Sequence, residues 1–190
     1  QLAAWYDTAQ QMLGPRGDQE SSKVYMGYAD EGLYLAFDIA DSKCFTSDPN
    51  SFWRAADCLE VMFTPVGDFT VGKAWGLEHH QFWFCPLANE GRAFAGFWAR
   101  AEGQKTESDI QDIKTAVKKT GNAATGGYVM EIFIPKERIN GYKPVKGTKA
   151  GLSFTLAVQG HRDPREVFWP ASKADNLVAS PWKWGRVVFE

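Results

Sequence analysis

The chain has 190 residues, 44% of them hydrophobic and 14% aromatic, and its 21 basic and 23 acidic side chains leave a net charge of -2. That length is most simply one domain, residues 1–190, with a substantial core of its own. The well-mixed charges form no electrostatic footprint for nucleic acid or an anionic membrane, and no apolar run approaches the roughly 20 residues of a membrane span.

Residues 2–13 predict one short helix or an irregular entry, and 14–18 a turn. Residues 24–39 read as two strands around Ala29-Asp30-Glu31-Gly32. In the second, Leu33, Leu35, Phe37 and Ile39 alternate with Tyr34, Ala36 and Asp38. Residues 40–56 are a polar loop holding Cys44, Asp48 and Trp53. Residues 57–64 and 79–85 alternate with period 2, so each is a strand with two unlike faces. Closed as an antiparallel hairpin over 65–78, they set Cys58 opposite Cys85, Glu60 opposite Trp83, Met62 opposite Gln81 and Thr64 opposite His79. That face carries a carboxylate, an amide and an indole, the groups that grip a sugar. The other carries Leu59, Val61, Phe63, Phe82 and Phe84 and is the core side.

Residues 94–100 are a further strand, and 101–113 a charged excursion or short helix. Residues 115–119 and 128–134 form a second hairpin with a longer loop. Pro135 opens a helical turn. A strand follows at 152–159, then an irregular segment at 160–183 with Trp169 and Trp182, and a last strand at 187–189. Short alternating strands without a long helical pattern predict an all-β fold, an antiparallel two-sheet β-sandwich of immunoglobulin-like or jelly-roll-like kind.

Eight Trp is rich for such a chain. Several stand beside turn residues, where exposed Trp serves binding, although burial is the rule for any single one. The three Cys have no zinc spacing. They read as buried or indifferent thiols, or as a Cys58–Cys85 cross-strand disulfide with Cys44 left over, which would suit an exported protein. The chain starts at Gln1, and we expect it to be an excised or mature piece of a longer one.

His79-His80 invites a metal reading, but neighbours on a strand point to opposite faces and cannot chelate one ion. Calcium is more plausible, from Asp30, Asp38, Asp41, Asp48 or Asp57, and no Asp-rich loop assigns its ligands. No nucleophile elbow, P-loop or dinucleotide fingerprint is present. Glu60 and Glu131 are a weak glycosidase pair.

The ordered pieces resemble the family 9 carbohydrate-binding modules and related DOMON-like sandwich domains. The acidic turn and aromatic strand at Ala29-Asp30-Glu31-Gly32-Leu33-Tyr34-Leu35-Ala36-Phe37, with Asp41 after it, are similar to the family's own. So are Asp57-Cys58-Leu59-Glu60-Val61-Met62-Phe63, Gly127-Tyr128-Val129-Met130-Glu131-Ile132-Phe133-Ile134-Pro135, Gly151-Leu152-Ser153-Phe154 and Trp184-Gly185-Arg186-Val187-Val188-Phe189. Leu2-Ala3-Ala4-Trp5 matches the segment after the family's opening strand, which is expected to be missing here.

The resemblance implies a non-catalytic, secreted or periplasmic sugar-binding domain, attached to other domains of a polysaccharide-degrading enzyme. No cofactor is required, and calcium is often a structural ion. By position, Trp53 matches the first of two clamping Trp, Glu60 the polar anchor on its strand and Gln81 an amide on the next. The second clamp falls near Val178, and Trp83 replaces a basic residue. Trp169 or Trp182 is expected to supply the missing wall, Trp83 to join the sugar face, and Arg162 to reach a ring or exocyclic oxygen. Two alternatives stay open. One is a structural or protein-interaction sandwich that has lost its sugar site. The other is a haem-binding relative with axial ligands among Met26, Met62, Met130, His79 and His161.

Overall fold

A computed structural model describes residues 5–6, 23–67, 70–121, 126–160, 165–170 and 176–190. Its strands are β1 (Trp5–Tyr6), β2 (Lys23–Ala29), β3 (Gly32–Ile39), β4 (Cys58–Thr64), β5 (His80–Leu87) and β6 (Arg92–Phe97). They continue as β7 (Glu107–Ser108), β8 (Lys114–Thr120), β9 (Gly127–Pro135), β10 (Lys149–Val158), β11 (Arg165–Trp169) and β12 (Gly185–Val188). One sheet runs β1-β2-β3-β9-β8. The other runs β11-β10-β4-β5-β6-β7, with β12 also paired to β10. Every pairing is antiparallel. The two sheets face each other as the expected all-β sandwich.

Alternation decides which side chains meet between the sheets. Leu33, Leu35, Phe37 and Ile39 from β3 meet Leu59, Val61 and Phe63 from β4 and Phe82 and Phe84 from β5 in one continuous core. Leu152, Phe154, Leu156 and Val158 from β10 join them. Burying each such side chain contributes about 1.5–3 kcal/mol. The first hairpin has the expected register, with Glu60 opposite Trp83 and Met62 opposite Gln81.

Four local readings change. Trp5–Tyr6 is a short strand on β2 rather than part of a helix, and the rest of residues 2–13 and the 14–18 turn lie outside the described residues. Within 101–113 the regular element is a two-residue strand, β7. Among its described residues the 160–183 segment holds an edge strand, β11, and two 3-10 turns, Leu177–Ala179 and Pro181–Lys183. The 40–56 loop contains a 3-10 turn, Pro49–Ser51, and one helical turn, α1 (Phe52–Ala55). The Asp48 side chain accepts from Asn50 N–H at 3.0 Å and starts that turn.

Candidate functional site

The outer face of the seven-stranded sheet carries the candidate site. Along β4 it presents Cys58, Glu60 and Met62, and along β5 Gln81, Trp83 and Cys85, with His79 just before that strand. Two aromatic clusters cover its ends. At one end Phe52 and Ala56 pack on Cys58, Trp83, Cys85 and Phe94, with Trp98 at the margin. At the other, Leu177 and Trp184 pack on Met62, flanked by Trp75 and Val178. Between the clusters lies a strip with Glu60 and Gln81 on its floor.

The strip is a chain of polar contacts. Gln81 Nε2 donates to Glu60 Oε2. Arg100 Nε donates to Gln81 Oε1 at 2.6 Å. The guanidinium lies 5.2 Å from the centre of the Trp98 ring, within cation–π range. Partial burial pulls the Arg100 pKa below its ordinary value while the Glu60 carboxylate pushes the other way, so Arg100 stays a cation at neutral pH. Gln81 is 2% exposed and spends both ends of its amide on these neighbours. It therefore positions Glu60 and Arg100 rather than facing a ligand itself.

Trp53 stands on α1, 52% exposed, edge-on to Phe52 and to Trp98 at 6.4 Å. It is held there because its neighbour Phe52 turns inward and stacks on Trp83, centroids 5.2 Å apart and planes 21° apart. Trp83 is 4% exposed and lies across Gly96, so it is the support of this wall and not a sugar-facing indole. A loop has folded over it, which strand alternation does not report. Trp169 turns inward as well. It pairs with Phe154 across β10–β11 and stacks on that ring at 5.4 Å and 10°, in the core. Trp182 is half-buried in the Pro181–Lys183 turn. Arg162 lies outside the described residues.

Arg100, Trp98 and Trp75 are the additions. Arg100 brings a guanidinium to the strip beside Trp83. Extending the 82–97 pairing by one step sets Trp98 against Gln81, where Trp98 N–H donates to Gln81 O at 2.9 Å. Closing a hairpin over the turn at 88–91 was the signal that brings Trp98 and Arg100 to this face. Trp75 Nε1–H donates to Val178 O at 2.8 Å, and its ring meets Trp184 edge-on at 5.2 Å. That aromatic pair flanks Val178, where the second clamp was sought.

The two adjacent histidines point to opposite faces, as the strand requires. His79 Nδ1 accepts from Gly76 N–H at 2.9 Å, and its ring packs against Trp184. His80 points into the sandwich, where burial pushes its pKa down to about 4. It is neutral at pH 7, with Nε2 accepting from Asn140 N–H at 2.9 Å and Nδ1 facing Phe63 O. Among the described residues no group of three or more His, Cys, Asp or Glu stands together as a metal site. Two candidate calcium ligands, Asp41 and Asp57, are fully buried and close enough to raise the Asp57 pKa. Asp57 accepts from Phe45 and Gln159 N–H, each at 2.7 Å, and Asp41 from Lys43 N–H at 3.0 Å. Backbone amide hydrogens directed at both carboxyls fit a divalent cation poorly.

Cys58 and Cys85 are buried neighbours, and both are free thiols, as is Cys44. The disulfide that the register allows is not formed. Met26 and Met130 lie in the core, Met62 lies under Trp184 and Leu177, and His161 is outside the described residues. Each described Met is closed off by packing. Glu60 and Glu131 sit on the outer faces of different sheets, so they cannot flank one glycosidic bond.

The fold is an all-β sandwich of two antiparallel sheets, with an aromatic-flanked polar strip on one outer face. The carbohydrate family 9 binding domain-like family matches residues 1–190, and the chain belongs to it. Among solved structures it is similar to a family 9 carbohydrate-binding module from Caldicellulosiruptor kristjanssonii in complex with glucose. That likeness has 16% identity and a TM-score of 0.64, over 98% of this chain and 84% of the other. The module of that family and organism in complex with cellotriose gives 15% identity and a TM-score of 0.63, over 92% and 77%. No curated protein matches.

Proposed function

We propose that this domain binds carbohydrate non-catalytically, in the strip between the two aromatic clusters. The carrying observation is the Glu60–Gln81–Arg100 chain flanked by Trp53 and Trp98. A pyranose has apolar C–H faces and a rim of hydroxyls. Exposed indoles stack on the former, while a carboxylate and a guanidinium take the latter. Gln81 holds those two charged groups at a fixed spacing, so little ordering is left for binding. Family membership and the sugar complexes of the Caldicellulosiruptor modules support the same reading.

In this reading Trp53 stacks, Glu60 accepts from sugar hydroxyls and Arg100 donates to a ring or hydroxyl oxygen. Trp182 and Arg162 remain proposed contacts. The domain is proposed to hold other domains of a secreted or periplasmic polypeptide against a polysaccharide. A glycan array on the isolated domain tests this, with binding to neutral glucans or related chains expected. Silence of the whole array would reject it.

A further inference from the structure

The opposite outer face, on the five-stranded sheet, carries a groove of about 420 Å³. That volume lies in the range of small-ligand sites, roughly 300–1,000 Å³. Register builds it. Across β2, β3, β9 and β8 one row reads Tyr25, Ala36, Glu131, Ala116 and the next reads Gly27, Tyr34, Phe133, Lys114. Alanines on both sides of Glu131 leave its carboxylate standing in a trough. Tyr34 and Phe133, ring centroids 4.8 Å apart, form one wall. Tyr34 is 38% exposed, and its hydroxyl donates to Glu31 at 2.9 Å. The Glu131 carboxylate is exposed, and among the described residues it takes no hydrogen bond.

An occupant must offer an apolar surface to the rings and bring its own donors for Glu131. A second copy docked about a two-fold axis through the middle of the trough would set Glu131 against its own equivalent, two like charges without donors. A cationic peptide meets the ammonium of Lys114 on the same rim, directly across from Phe133. A neutral pyranose meets both demands and brings no charge to repel Lys114. We propose that this groove is a second carbohydrate-binding site, which makes the domain bivalent across its two outer faces. Tyr34 and Phe133 stack on the sugar, and Glu131 accepts from its hydroxyls. The inference shares a ligand class with the first strip but none of its residues. Two faces engaging neighbouring chains of one polysaccharide would gain by effective concentration.

Amide NMR of the intact chain, titrated with cellohexaose, xylohexaose and mannohexaose, tests it. Resonances of Ala36, Ala116 and Glu131 read the groove, and the indole N–H signals of Trp53 and Trp98 read the strip. At least one hexasaccharide is expected to shift the groove amides. Tyr34→Ala and Glu131→Gln should each weaken that response about tenfold while leaving the indole response in place. Trp53→Ala should do the reverse. Glu131→Gln keeps the shape and carries the test if Tyr34→Ala lowers the melting temperature. Groove amides silent to all three sugars would overturn the inference, as would groove shifts unaltered in both variants. So would a dimer in sedimentation that Tyr34→Ala dissolves. Groove shifts without an indole response would keep the second site and reject the first.

Discussion

Arg100 joins the two kinds of chemistry in the strip, because its guanidinium stacks on Trp98 and donates to Gln81. Arg100→Ala should lower sugar affinity by about 1.5–3 kcal/mol, and calorimetry would read it. Arg100→Lys should recover little, because an ammonium has no planar fork to lie on the indole and still donate. Arg100→Lys should melt near the parent temperature, whereas Arg100→Ala leaves the buried Gln81 Oε1 without its donor and should cost about 1–3 kcal/mol of stability. A different residue-scale effect belongs to Asp57. Burial, then the neighbouring Asp41 carboxyl, raises its pKa from 3.8 to about 8. A raised pKa means the native pair keeps a proton that the unfolded chain releases. Its stabilising contribution is complete below about pH 4 and is lost as pH rises through about 8. Asp41→Asn supplies a carboxamide donor to Asp57 and keeps an acceptor for Lys43 N–H. Melting curves from pH 5 to 8 should then show a flatter decline than in the parent. An equal decline would place the titration elsewhere.

At the scale of elements, the wall of the strip depends on a glycine. A methyl on Gly96 would overlap the Trp83 ring, which lies directly over it, and Trp83 in turn carries Phe52 and α1. Gly96→Ala should cost about 1–3 kcal/mol by overpacking and also weaken binding, because Trp53 rides on that helical turn. Denaturant melts and calorimetry on one preparation would separate the two effects. The thiols below behave as packing. Burial pushes the Cys58 pKa well above its ordinary value, and burial with the nearby Asp57 pushes Cys44 up to about 12. A thiol reagent at pH 8 should find almost nothing in the native chain and all three Cys after denaturation. Rapid native labelling would contradict the packing described for the loop over β4 and β5.

Across the whole molecule, the sandwich, its core face and the register of β4 with β5 are legible in the sequence, because period 2 is a local property. Glu60 and Gln81 are legible for the same reason. What covers a strand face is not local. Trp83 and Trp53 look equally available in the sequence, and only the fold of the 40–56 loop buries one and lifts the other. β11 is five residues at a sheet edge, inside a stretch broken by Pro164, Pro170 and Pro181, too short to print a pattern of its own. Its register, Trp169 against Phe154, turns that indole into the core. Arg100 needed a second hairpin register to be placed.

The central claim is that sugar sits on Glu60 and Trp53. Calorimetry of Trp53→Ala and Glu60→Gln against the best glycan from an array, with melting curves in parallel, tests it most directly. The account predicts losses of about 1–3 kcal/mol for the first and about 1.5–3 kcal/mol for the second, at nearly unchanged melting temperatures. Parent-like affinity in both variants would contradict it, and so would a large drop in both melting temperatures.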